Sequence, residues 1–180
     1  MNTLSEKETH ALHEALDDEY HAWATYDQVI ADFGEVRPFT NIRSAEARHI
    51  GALLVLFDRY GLDVPPNTWP GRVPRFRTLE EACEGGVADE IANAEMYDRL
   101  LASTERHDIL TVLSHLQEAS QLRHLPAFQR CVDRSGGRGR GRGQGGHRGG
   151  AGNGGGGRGG FGGGRGPGRG GGHHGQGRQG

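Results

Sequence analysis

Glu46-Ala47-Arg48-His49 sets a carboxylate and an imidazole three residues apart, a spacing at which two side chains share one helix face and can address the same ion. Gln121-Leu122-Arg123-His124 repeats the arrangement with an amide in place of the acid. Two more acids, Glu19 and Glu90, each close an Asp-Glu pair, and each is followed seven residues on by the tyrosine of a Tyr-Asp pair, Tyr26-Asp27 and Tyr97-Asp98. All of these positions fall in line with apolar residues advancing by threes and fours, so they face a common core. Ionised carboxylates carried into a core without partners cost several kcal/mol each, and a pair of divalent cations would offset that cost. One Glu from each of two helices plus Glu-x-x-His from each of the other two is the ligand set of dimetal carboxylate bundles. The candidate metal ligands are therefore Glu19, Glu46, His49, Glu90, Gln121 and His124. The alternative is a buried polar network in which His49 and His124 donate to Glu19 and Glu90.

Gln121 withholds one negative charge. Two divalent ions against three carboxylates leave a net +1, so the second ion is expected to bind more weakly unless Glu118 bends in from one turn earlier; a site with one ion or none is the other outcome. Tyr26 and Tyr97 share the face of Glu19 and Glu90, where they either hydrogen-bond ligating carboxylates or pack as amphipathic core residues. Redox-active phenols are a further alternative.

These residues need four helices to carry them. The first is predicted from the capping box Thr3-Leu4-Ser5-Glu6 to a stop at Gly34, and the second from a cap at Thr40 to Gly61. Four prolines and two glycines between Gly61 and Arg77 forbid a regular element. A second capping box, Thr78-Leu79-Glu80-Glu81, opens the third helix, expected to step at Gly85-Gly86 and to carry Val87, Ile91, Ala94, Tyr97 and Leu101 on one face. The fourth starts near Asp108 and bears Ile109, Leu113, Leu116, His124, Phe128 and Cys131, with Pro126 kinking or ending it. Short turns within each pair and one long connection between the pairs predict an all-α, ferritin-like four-helix bundle over residues 1–134. The shared Asp-Glu…Tyr-Asp spacing of helices one and three, with the matching His49 and His124 segments, makes the two hairpins look like copies about a pseudo-twofold axis.

The segments DDEYHAWATYDQVI, FGEVRPFTNIRSAEARHIGAL, GVADEIANAEMYDRLL and HLPAFQRC resemble a bacterial and archaeal ferritin-like family of unknown function, related in fold to the rubrerythrins. The resemblance covers about residues 8–132. It implies a ferritin-like bundle and, by fold analogy, a di-iron or similar site. The chain departs from a rubrerythrin-type site at Gln121, where a fourth glutamate would stand. It also lacks the four-cysteine rubredoxin-like iron site of full rubrerythrins, so any electrons are expected from an external donor.

Residues 135–180 are a different material: 27 glycines, eight arginines and no acid. Of the whole chain's net charge of −2, the tail holds +8 and the first 134 residues −10. Such a segment is expected to be disordered. Arg138, Arg140, Arg142, Arg148, Arg158, Arg165 and Arg169 form Arg-Gly runs that could meet the phosphates and bases of single-stranded nucleic acid; a solubilising extension, or one folding over its own acidic bundle, fits the composition equally. Cys83 and Cys131 fall at the same end of an antiparallel helix pair, compatible with a disulfide or with two buried thiols. With no apolar run long enough for a membrane span and no secretory leader, the expectation is a cytoplasmic protein. The functional expectation is an iron protein, with manganese or zinc as other possible ions, of ferroxidase or peroxidase type acting on dioxygen or peroxide. The alternatives are a non-catalytic nucleic-acid-binding protein and metal storage or buffering.

Overall fold

The computed structural model describes residues 3–139; the tail arginines from Arg140 onward, and the expectation of a disordered, nucleic-acid-binding tail, lie outside the described residues. Among these, all regular structure is helical: α1 (Glu6–Phe33), α2 (Phe39–Tyr60), α3 (Leu79–Leu101), α4 (His107–Ala119) and α5 (Leu125–Gly139), with a π-helical turn at Ser120–His124 joining α4 and α5 into one fourth helix. No described helix is long and apolar enough to cross a membrane.

Two of the four predicted helix starts shift for identifiable reasons. Ser5, not Thr3, caps α1: its hydroxyl accepts from the Glu8 N–H at 3.2 Å and the Glu8 carboxylate accepts from the Ser5 N–H at 2.9 Å. The same two-residue code also fits Thr3 and Glu6, but only Glu8 gains further donors, Thr104 Oγ1 at 2.7 Å and Arg106 Nε at 3.0 Å, from the turn before α4. α2 starts after Pro38, whose fixed φ prepares a helical turn without a side-chain cap, and Thr40 lies inside the helix. Thr78 caps α3 as expected, accepting from the Glu81 N–H at 3.1 Å.

α3 runs unbroken through Gly85-Gly86. The glycines serve close approach instead: a Cβ at Gly86 would lie 2.7 Å from the Phe128 ring, and one at Gly85 would lie 2.8 Å from Phe76. Pro126 neither kinks the chain away nor ends the helix. It stands in the first turn of α5, directly after the wider π turn, where its missing N–H and its ring are tolerated. α5 continues past Arg134 to Gly139, so Arg138 has a helical backbone.

α1 packs along α2, and α3 packs along α4 and α5; α1 also meets α3, and α2 meets α4, closing an all-α bundle. The crossover from α2 to α3 runs along α1. Trp69 Nε1 donates to Asp17 at 2.9 Å near the middle of α1, and Arg75 Nε donates to Asp32 at 3.0 Å near its C-terminal end. Two apolar clusters fill the interior. One gathers Leu12, Leu16, Leu53, Phe57, Ile109 and Leu113, and the other Tyr26, Phe39, Ile42, Cys83, Phe128 and Cys131. Ile91, expected on the inner face of α3, is instead 53% exposed, and Met96 and Leu100 take inward positions on that helix.

Candidate metal centre

Glu19 on α1, Glu46 and His49 on α2, Glu90 on α3 and His124 in the π turn converge on one point inside the bundle. Glu19, Glu46, Glu90 and His124 are each at most 5% exposed, and His49 is half-buried. Each imidazole turns Nδ1 toward two carboxylates. His49 Nδ1 lies 2.7 Å from Glu46 Oε2 and 3.2 Å from Glu19 Oε2, and His124 Nδ1 lies 3.2 Å from Glu46 Oε1 and 3.5 Å from Glu90 Oε1. Glu46 thus offers one oxygen to each histidine. The result is two triads, Glu19–Glu46–His49 and Glu46–Glu90–His124, each with its ligand atoms within 4.8 Å of one another.

The phenols complete the carboxylates from the far side. Tyr97 Oη donates to Glu19 Oε1 at 2.7 Å and Tyr26 Oη donates to Glu90 Oε1 at 3.2 Å. Burial, and then the adjacent carboxylates, push both phenols well above their ordinary pKa, so they remain donors.

The charges are strongly interdependent. Burial followed by the charge of Glu46 raises the Glu19 carboxyl to about 8. Burial works the same way on Glu46, but hydrogen bonds from His124 and His49 outweigh it and hold that carboxyl down at about 2. Burial opposes charge on the imidazoles, yet their carboxylate partners prevail and raise His49 to about 10 and His124 to about 9. Without an ion, the imidazoles are thus cations at neutral pH. Asp18, next to Glu19, is raised to about 7 by burial and then by Glu46 and Glu90.

The donor set suits a divalent ion. Two carboxylate–imidazole triads joined by a bridging carboxylate supply oxygen and nitrogen ligands of the kind iron, manganese and zinc accept. One ligand atom is also unspent: Glu90 Oε2 is buried with no hydrogen-bond partner. The cavity between the groups measures about 10 Å³ and is lined by Glu19, Glu46, His49, Glu90, Ser120 and His124, among others. That is room for roughly one water-sized particle.

Of the residues predicted from spacing, Gln121 does not join. Its amide nitrogen donates to the Glu90 backbone carbonyl at 3.1 Å, and it is not among the residues that line the cavity. Glu118, the suggested substitute, is exposed. The cause is the π turn: one helical turn containing an extra residue shifts the register, so Ser120 and His124 face the cavity and Gln121 rotates off it. Ser120 and Asn93 also line the cavity and were not singled out by the 3.6-residue period, which has no provision for a π turn. Cys83 and Cys131 are joined in a disulfide with a Cα–Cα separation of 5.9 Å, at the start of α3 and in α5.

No protein-family model matches the chain, and neither does any curated protein. Two solved structures are similar in fold. A hypothetical protein from Methanococcus jannaschii aligns with a TM-score of 0.66 and 22% identity, covering 76% of this chain and 85% of its own. A conserved hypothetical protein from Mycobacterium tuberculosis aligns with a TM-score of 0.56 and 14% identity, covering 71% and 91% respectively. An archaeon and a bacterium therefore both hold proteins with this helical arrangement.

Proposed function

We propose that this protein is a ferritin-like dimetal protein, with iron as its ion and an oxidoreductase reaction toward dioxygen or peroxide. The observation that carries the reading is the sharing of Glu46 between two Glu/His triads. A lone ion pair or a satisfied hydrogen-bond network has no need of a carboxylate that divides its two oxygens between two imidazoles on different helices, with a further carboxylate oxygen left over on Glu90. The all-helical bundle, with two hairpins and a long crossover, is compatible with a ferritin-like fold.

In this reading Glu19, Glu46 and His49 would hold one ion, and Glu46, Glu90 and His124 would hold the other. Tyr97 and Tyr26 fix the orientation of the Glu19 and Glu90 carboxylates, as hydrogen-bond partners of ligands generally do. The apolar clusters to either side keep bulk water out and preserve the strength of the electrostatic contacts. Bound iron would supply one-electron redox chemistry that no side chain here can provide. Two cysteines cannot build a four-cysteine iron site, so electrons come from a separate donor.

Elemental analysis of protein purified with and without air tests the proposal. Iron approaching two ions per chain is expected, and Glu46→Ala should remove both ions because both triads lose a ligand. Metal-free wild-type protein after anaerobic reconstitution with ferrous iron would overturn it.

A further inference from the structure

The two sulfurs of the Cys83–Cys131 disulfide are unequally placed. Cys83, near the start of α3, is fully buried, whereas Cys131 of α5 is 3% exposed and lines a cavity of about 380 Å³ together with Arg37, Leu79, Arg134 and Ser135. That volume lies within the range of small-molecule sites, roughly 300–1,000 Å³.

The described lining carries two guanidiniums and no acid, in a chain whose first 134 residues hold a net −10. Arg134 follows Cys131 by three residues in α5, a spacing that puts both on one helix face. Arg37 arrives from a different element, the turn between α1 and α2. Arg43, Arg59, Arg77 and Arg99 are each taken up by a carboxylate. Arg37 and Arg134 are exposed and make no hydrogen bond or ion pair among the described residues, so their donors are free for a ligand. Guanidinium matches carboxylate in shape as well as charge. Thiol–disulfide exchange, in turn, depends on which sulfur is within reach and on the access of the attacking thiolate. Burial of Cys83 leaves Cys131 as the sulfur to attack, and the two guanidiniums favour a thiol that carries a second, permanent negative charge.

We propose that this cavity is a binding site for a small carboxylate-bearing thiol, held by Arg37 and Arg134, that opens the disulfide at Cys131. The thiolate sulfur bonds to Cys131 Sγ, the Cys83–Cys131 bond breaks, and its electron pair leaves on Cys83 Sγ, which takes a proton from solvent. A second thiolate of the same kind attacks the small-molecule sulfur of the mixed disulfide and releases Cys131 Sγ, which is protonated in the same way. Two small thiols end as their disulfide, and the protein disulfide ends as two thiols. No step touches the metal centre, so the inference goes beyond the proposed function and stands or falls apart from it.

Three thiols of similar size and different charge test it on the full-length oxidised protein: mercaptopropionate, mercaptoethanol and cysteamine. Disulfide loss is followed by acid quench, alkylation and mass spectrometry, with each rate corrected for thiolate fraction and divided by the same reagent's rate on an uncharged model disulfide. Mercaptopropionate is expected to be about three- to tenfold faster than cysteamine, with mercaptoethanol between them and the advantage shrinking as salt rises. The double change Arg37→Gln and Arg134→Gln should abolish the order while leaving the mercaptoethanol rate and the unfolding midpoint unchanged, and the quenched mixed disulfide should map to Cys131. The tail arginines are present in both proteins, so the comparison isolates these two. Equal corrected rates for the three thiols in wild-type protein, or an order that persists in the double variant, overturns the proposal. So does an adduct on Cys83, or a rate that does not rise with thiol concentration, because the disulfide would then open only after unfolding.

Discussion

Tyr97 on α3 hydrogen-bonds Glu19 on α1, and Tyr26 on α1 hydrogen-bonds Glu90 on α3, so each of these two helices orients the other's carboxylate. The exchange is reciprocal and rests on the identical seven-residue spacing of Glu and Tyr in both helices. It ties the two hairpins together through the polar layer rather than through apolar contact alone.

Tyr97→Phe should therefore act on one half of the centre and Tyr26→Phe on the other. Removing the Tyr97 hydroxyl leaves a buried Glu19 oxygen without its donor, a cost of about 1–3 kcal/mol in the metal-free protein, to be read from the denaturant midpoint. Metal affinity at the Glu19–His49 half should fall by about 10- to 100-fold with the other half little changed. Equal loss at both halves from either substitution would contradict the exchange.

Stability of the metal-free protein should depend on pH in an unusual direction. Asp18 at about 7, Glu19 at about 8, His124 at about 9 and His49 at about 10 all lie above their ordinary values. For each, the folded state binds more protons than the unfolded chain between the ordinary and the raised value, so stability falls as pH rises through that interval. Two acids and two imidazoles then act together. The unfolding temperature of metal-free protein should be highest at about pH 4.5, where the interval of Glu46 ends, and decline continuously to about pH 10. Glu46, held at about 2, works in the opposite sense only below its ordinary value of 4.5. A thermal melt series from pH 5 to pH 10 that rises or stays flat would contradict this account.

The same raised imidazoles compete with metal. An ion can take His49 and His124 only as neutral ligands and Glu19 only as a carboxylate, so binding at pH 7 must expel about three protons per chain. Affinity for a divalent ion should therefore increase with pH up to about 10. Calorimetry in buffers of different ionisation enthalpy counts the protons directly, and a count near zero would mean the imidazoles do not take part.

Much of the centre could be read from spacing because α-helical periodicity holds along α1, α2 and α3: Glu19, Glu46, His49 and Glu90 point where a 3.6-residue repeat sends them. His124 also arrives, but by a different route. The π turn consumes one residue more than an α turn, a change that a 3.6-residue repeat does not register. A 3.6-residue repeat consequently puts Gln121 on the inner face and leaves Ser120 off it, whereas the cavity lining includes Ser120 and not Gln121. Caps failed where two overlapping patterns were locally equivalent, as at Thr3 and Ser5, since only the distant Thr104 and Arg106 distinguish them. The Gly85-Gly86 pair reads as a weak point along the chain and becomes a docking site only once α5 is laid against α3.

That docking makes Gly86 sensitive. Replacing it with alanine raises helix propensity by up to about 1 kcal/mol, but its Cβ would sit 2.7 Å from the fully buried ring of Phe128. Phe128 packs on Tyr26 and Phe39 with ring centroids 5.3 Å apart in each case, so it has little freedom to retreat. Overpacking should dominate, giving a net loss of about 1–3 kcal/mol. Because Tyr26 carries the displacement to Glu90, metal affinity at the Glu90–His124 half should drop as well, whereas Gly51→Ala, on open helix surface, should stabilise.

The Cys83–Cys131 disulfide closes a stretch of 48 residues that includes most of α3, all of α4 and the π turn. A cross-link of that span removes conformational freedom mainly from the unfolded chain and is worth about 2–4 kcal/mol. Reduction, or the paired change Cys83→Ser and Cys131→Ser, should lower the unfolding midpoint accordingly. The ligands themselves come from α1, α2, α3 and the π turn, and the triads are joined through Glu46, which the disulfide does not restrain. Metal content should therefore survive reduction at temperatures well below the midpoint, and bound metal should recover part of the lost stability by mass action. Loss of metal on mild reduction, with the helical content intact, would show instead that the disulfide sets the position of His124.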